Sequence, residues 1–119
     1  MNVCILRGQL LRPPEHRVVS GDRSVVTYEV RTTREGAAPE PVPVVWEAAP
    51  ASALQLDADD EVVVVGRVRR RWFRAGGATQ SRTEVVADAV LPARSAKRVA
   101  RLLAEAVATV EGETPVRRA

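Results

Sequence analysis

The stretch from Glu61 to Leu91 constrains the fold more than any other. It opens on four consecutive valines, Val62–Val65, passes Gly66 and runs to Arg74 without a proline. β-Branched residues at this density favour extended backbone, since a branched Cβ packs well on a pleated surface. The spacing predicts one long strand over Glu61–Arg74. Gly76-Gly77 marks a hairpin tip, because glycine takes positive φ at no steric cost. Gln80–Leu91 returns as its partner, and Pro92 closes it.

Three further strands are expected upstream. Val3–Leu11 is apolar with Gly8 inside, which reads as a strand with a bend or bulge. Pro13-Pro14 ends it, and Ser20-Gly21-Asp22 is a turn. Ser24–Thr33 alternates, with Val26, Tyr28 and Val30 on one face and Thr27, Glu29 and Arg31 on the other. That is the pattern of a half-buried strand, with Tyr28 in the core. Glu35–Pro43 is a loop. Val42–Glu47 is a strand weakened by Pro43, which cannot donate to a ladder. Ala48–Asp60 is an acidic connection. Downstream the period changes. Val99, Leu102, Leu103, Ala106 and Val110 fall on one helical face over Ser95–Glu111, with Gly112 as C-cap. Arg94, Lys97, Arg98 and Arg101 form a second stripe, either a solvated face or a patch for an acidic partner. Bases at a helix start oppose its dipole.

Five short strands and one late helix predict an all-β fold. The glycine bend and the long final hairpin suit a five-stranded Greek-key OB barrel with a C-terminal α-helix. Residues 1–92 form the barrel domain and 93–119 the helix and a short tail.

Composition narrows the function. The chain has one cysteine, Cys4, and one histidine, His16. A disulfide framework and a Cys/His zinc cluster are both excluded within one chain. No nucleophile–base set or phosphate-cradling glycine loop stands out, so no catalysis, cofactor or small-molecule substrate is expected. Cys4 reads as a small buried hydrophobe and His16 as a loop residue on the surface. No apolar run approaches membrane-spanning length. Met1-Asn2-Val3-Cys4 lacks the basic and apolar regions of a signal peptide, so a cytoplasmic protein is expected. Residues 1–60 carry six Arg against nine acids, whereas residues 61–91 carry six Arg against three. This asymmetry points to an anionic partner, nucleic acid first.

The order of several short motifs resembles the bacterial single-stranded DNA-binding proteins. Asn2-Val3-Cys4-Ile5-Leu6-Arg7-Gly8-Gln9-Leu10, followed by Pro14-Glu15 and Arg17, is similar to the opening of that family, with Cys4 in a valine place. Val44-Val45-Trp46, Gly66–Phe73 and Thr83-Glu84-Val85-Val86-Ala87 resemble its later strands at near-constant spacing. The match covers residues 2–91. It implies an OB fold, a homo-oligomer (usually a tetramer) and sequence-tolerant binding of single-stranded DNA in replication, recombination or repair. By position it implies stacking aromatics at Trp46 and Phe73, with basic residues at Arg69 and Arg71 leading to Phe73. Aromatics are fewer than the family's, 3% of the chain. The family's acidic, aromatic tail tip has no counterpart in Pro115-Val116-Arg117-Arg118-Ala119.

Strand parity supplies the same site independently. With Val68 pointing into the barrel, Arg67, Arg69, Arg71 and Phe73 share the outer face. Guanidinium groups about 7 Å apart then lead to one ring. Arg74 completes a cluster of five Arg within residues 67–74. Trp72 falls on the Val68 face, either packed on a projecting hairpin, held in a subunit contact, or stacked on a base. Trp46 is either a stacking platform or core filling. The competing function is an OB-fold primosomal or protein-interaction module with weak or no DNA binding.

Overall fold

The computed structural model describes residues 1–112. The tail segment Pro115–Ala119 lies outside the described residues. Six strands form: β1 (Cys4–Leu10), β2 (Glu15–Ser20), β3 (Arg23–Thr32), β4 (Glu40–Glu47), β5 (Glu61–Ala75) and β6 (Ala78–Pro92). A short 3-10 turn spans Ala51–Leu54, and helix α1 spans Ala96–Val110.

The strands lie in the order β1-β5-β6-β4-β3-β2, and β1 also pairs with β3. Hydrogen bonding therefore closes a ring through β1, β3, β4, β6 and β5, a barrel-like all-β fold with β2 outside it as an edge. All pairings are antiparallel except β4 with β6, where Val44 meets Val85 and Val45 meets Val86. Closure depends on β1 bending to serve two partners. Its length pairs with β5, while Gln9 and Leu10 turn to Arg31 and Val30. Gly8 sits at that bend, where a Cβ would overlap the Arg31 backbone carbonyl. The bend expected there is present.

β2 is a strand that no sequence signal predicts. None of its six residues is buried, so it carries no hydrophobic period to detect. Its backbone pairing with β3, from Glu15 opposite Thr27 to Ser20 opposite Arg23, is what makes it a strand. His16 is accordingly an exposed strand residue rather than a loop residue. In β4, Pro41 and Pro43 lie outside the short segment that pairs with β6, where a missing N–H is tolerated.

The interior is apolar: Leu10, Val26, Tyr28, Val30, Val44, Val62, Val64, Val85 and Val90 are buried together. Ala53 and Leu56 join this cluster from the connection after β4. The Tyr28 hydroxyl donates to the Ala53 carbonyl at 3.0 Å, so its one polar atom is satisfied, and burial raises its pKa. Cys4 is half-buried against the same core, and burial pushes its thiol pKa up. On the outside, α1 covers Val63 and Leu91 with Val99, Leu102 and Leu103. The predicted apolar stripe thus faces the barrel, except that Val110 runs past it and is 56% exposed. Ser95 is the N-cap, and Gly112 follows the helix at φ +78°.

β5 and β6 outlast the barrel. The interior ends at Gly66, where a Cβ would overlap the Val86 carbonyl. The register with β6 also shifts there, leaving Asp88 as an extra residue. Arg67 and Val68 still lie opposite Val86 and Val85, which pair with β4, and past them the strands continue as a two-stranded arm. Val68 was expected to point into the barrel, but it is 45% exposed, because the strand has already left the core. The Asn2 side chain brackets its backbone instead, donating to the Val68 carbonyl at 2.7 Å and accepting from its N–H at 2.9 Å.

Candidate nucleic-acid interface

The outward faces of β3 and β4 form the floor of an open groove. Thr27 and Val45 lie at its centre, β2 forms one wall with Arg17, and the β5–β6 arm forms the other with Arg71 and Glu84. Small side chains on the floor leave it concave, and the charged side chains stand on its walls.

Parity along β5 holds beyond Gly66, so Arg69, Arg71 and Phe73 do share one face. The two arginines share a partner in Glu84 on β6, whose Cα lies opposite that of Arg69. Glu84 is the buried charged residue of the chain among those described, with a side chain 2% exposed. Its Oε2 accepts from Arg69 Nη2 at 2.7 Å and Nε at 3.3 Å. Its Oε1 accepts from Arg71 Nε at 3.4 Å. Arg69 Nη1 also donates to Glu47, at the end of β4, at 3.2 Å. A carboxylate this deep is tolerable only because charged donors surround it. The bond to Glu84, with Glu47 adding, raises the Arg69 pKa above its usual value, so the group stays cationic at any accessible pH.

On the arm each aromatic ring meets the arginine two positions before it. The Arg71 guanidinium carbon lies 5.4 Å from the centre of the Phe73 ring, and that of Arg70 lies 5.7 Å from the Trp72 ring. Phe73 is half-buried and Trp72 is 62% exposed. Both distances are within cation–π range. Arg74 donates to the Gly77 carbonyl at 3.0 Å and so braces the hairpin tip.

Two predicted residues lie elsewhere. Arg67 shares the parity of Arg69, yet lines a separate hollow beside α1 with Asn2, Leu102 and Glu105. Strand twist and the helix divide one face into two surroundings. Trp46 has the parity of Val44 and packs against the interior core. It therefore lies on the opposite face of β4 from Val45 and Glu47, and its core-filling alternative is the one the geometry favours.

The groove also holds three bases outside the predicted set, Arg12, Arg17 and Arg82. Arg12 pairs with Glu29 at 2.9 Å and Arg17 with Glu15 at 3.4 Å. Arg82 stands directly opposite Arg71 in the β5–β6 register. Folding the hairpin on Gly76-Gly77 would have put those two opposite each other, so this signal was in the sequence. Among the described residues Arg82 makes no ion pair, and no cluster of Cys, His or carboxylates could hold a metal ion. No helix there is long and apolar enough to cross a membrane. Compared with known protein families and with curated proteins, the chain matches none.

Proposed function

We propose that this chain is an OB-fold protein that binds single-stranded DNA without sequence preference, as its resemblance to the bacterial single-stranded DNA-binding proteins implies. The observation that carries the reading is the pair Arg71 and Arg82, facing each other across the arm on the face that carries the Phe73 ring. Like charges directly opposite on a sheet are destabilising. A phosphate between them removes that cost, and a base can stack on a neighbouring ring. The closed ring of five strands, with its open face on β3 and β4 and its final hairpin beside that face, supports the OB reading. In that fold the second and third strands and the adjoining loops take up oligonucleotides. The proposal includes action in replication, recombination or repair in the cytoplasm, as a homo-oligomer with a tetramer favoured.

One observation favours the protein-interaction module instead. Glu84 and Glu47 already occupy Arg69 and Arg71. Titration with oligo-dT separates the two. Binding should quench tryptophan emission, and a Trp46→Phe variant should keep that quench because Trp72 is the exposed reporter. The logarithmic salt slope should be about −2 to −3.5, the value for three to five neutralised phosphates on a single strand. Folded protein that neither binds nor quenches at low salt would leave the interaction module as the better reading.

A further inference from the structure

We infer that Glu47 is a displaceable counter-ion that holds the place of a phosphate at Arg69, an inference resting on the single-strand reading above. Arg69 spends Nε and Nη2 on Glu84 and has Nη1 turned to Glu47. Arg71 also donates to Glu84. Two guanidinium groups against two carboxylates leave this cluster without net charge. A phosphate gains full attraction from it only after one carboxylate withdraws.

The two carboxylates differ in their freedom to do so. Glu84 is almost fully buried, and turning it away would strand an ionised group without donors. The Glu47 side chain is 42% exposed and has a single partner. It ends β4 immediately before Ala48, whose φ of 52° turns the chain. Swinging into water exchanges one weak surface contact for hydration. Glu84 therefore fixes the two guanidinium groups as a rigid fork, and Glu47 covers the Nη1 donor that Arg69 does not spend on Glu84. Guanidinium geometry suits this exchange, because the donor that binds a carboxylate oxygen binds a phosphate oxygen equally well. The consequence is a built-in threshold at Arg69, since an anion must outcompete Glu47 before that guanidinium holds it.

The test compares oligo-dT binding by wild type, Glu47→Gln and Glu61→Gln. Glu61 pairs with Arg7 at 2.9 Å, away from the groove, so its replacement removes the same charge without freeing Arg69. Glu47→Gln should bind about 5- to 10-fold more tightly at 50 mM salt, with a slope more negative by about 0.7, as expected for one further phosphate contact on a single strand. Glu61→Gln should stay within about twofold of wild type, with the slope unchanged. Binding by Glu47→Gln where wild type fails would support the latch in its strongest form. Wild-type binding that Glu47→Gln leaves unaltered, or that Glu61→Gln tightens equally, overturns the latch alone. If no variant binds while all remain folded, the single-strand reading falls and the latch with it.

Discussion

Two halves of one strand behave as different materials. From Val62 to Val65, β5 is buried on both sides, with the barrel interior beneath and α1 above. From Arg67 to Arg74 the same strand keeps its antiparallel ladder to β6, but neither face is covered by a packed layer. The backbone is equally satisfied in both halves. What changes is the neighbour of each side chain. Valine suits the first half because water is excluded from both faces. Arginine suits the second because its stem can lie along the sheet while its head stays wet or finds a carboxylate. Gly66 marks the boundary, where backbone meets backbone too closely for any side chain. Stability is concentrated in the first half, and chemistry is left to the second.

The sharpest way to break this comparison is at its one exception, the buried Glu84 in the charged half. Arg69→Ala should cost about 3 kcal/mol in urea unfolding at neutral pH, the low end for stranding a buried charge, since Arg71 still donates. Combining it with Glu84→Gln should recover at least half of that loss. A neutral Arg69→Ala would mean that Glu84 is hydrated and the two halves differ less than described. Next in size, Val64→Ala should cost about 2 kcal/mol, from two lost methyl groups and a residual cavity. It should leave the salt slope of oligo-dT binding unchanged; a shifted slope would show that the buried half shapes the groove directly. Smallest in stability is Phe73→Ala, where a partly exposed ring and its cation–π contact are lost, about 1 kcal/mol. Its effect on oligo-dT affinity should be larger, about 1–3 kcal/mol for one stacking platform. A variant that unfolds readily yet binds normally would reassign Phe73 to the packing half.

Much of the barrel and its covering helix was legible. A period of two placed Val26, Tyr28 and Val30 inward, glycine located both the β1 bend and the hairpin tip, and a period near 3.6 found the face of α1. These are local signals, and local geometry obeys them. The second half was legible only in part. The shared face of Arg69, Arg71 and Phe73 follows from parity, but parity says nothing of what lies across from it. The Arg69 side chain meets a residue fifteen positions away and another twenty-two away. Glu84 stood within the Thr83–Ala87 block without a role, because a carboxylate in a strand does not announce its burial.

The sequence by itself determined which side chains share a face, where the chain must turn, and which stripe of the helix is apolar, since each follows from the repeat of a single element. Only the tertiary structure decided where cover ends. It made a strand of β2 through hydrogen bonds that carry no sequence period, and it turned Trp46 to the core. It sent Arg67 to the helix side and brought Glu47 and Glu84 onto Arg69 and Arg71. The reason is the same in each case: burial and charge pairing depend on distances between elements, and those are set by ring closure rather than by any one strand.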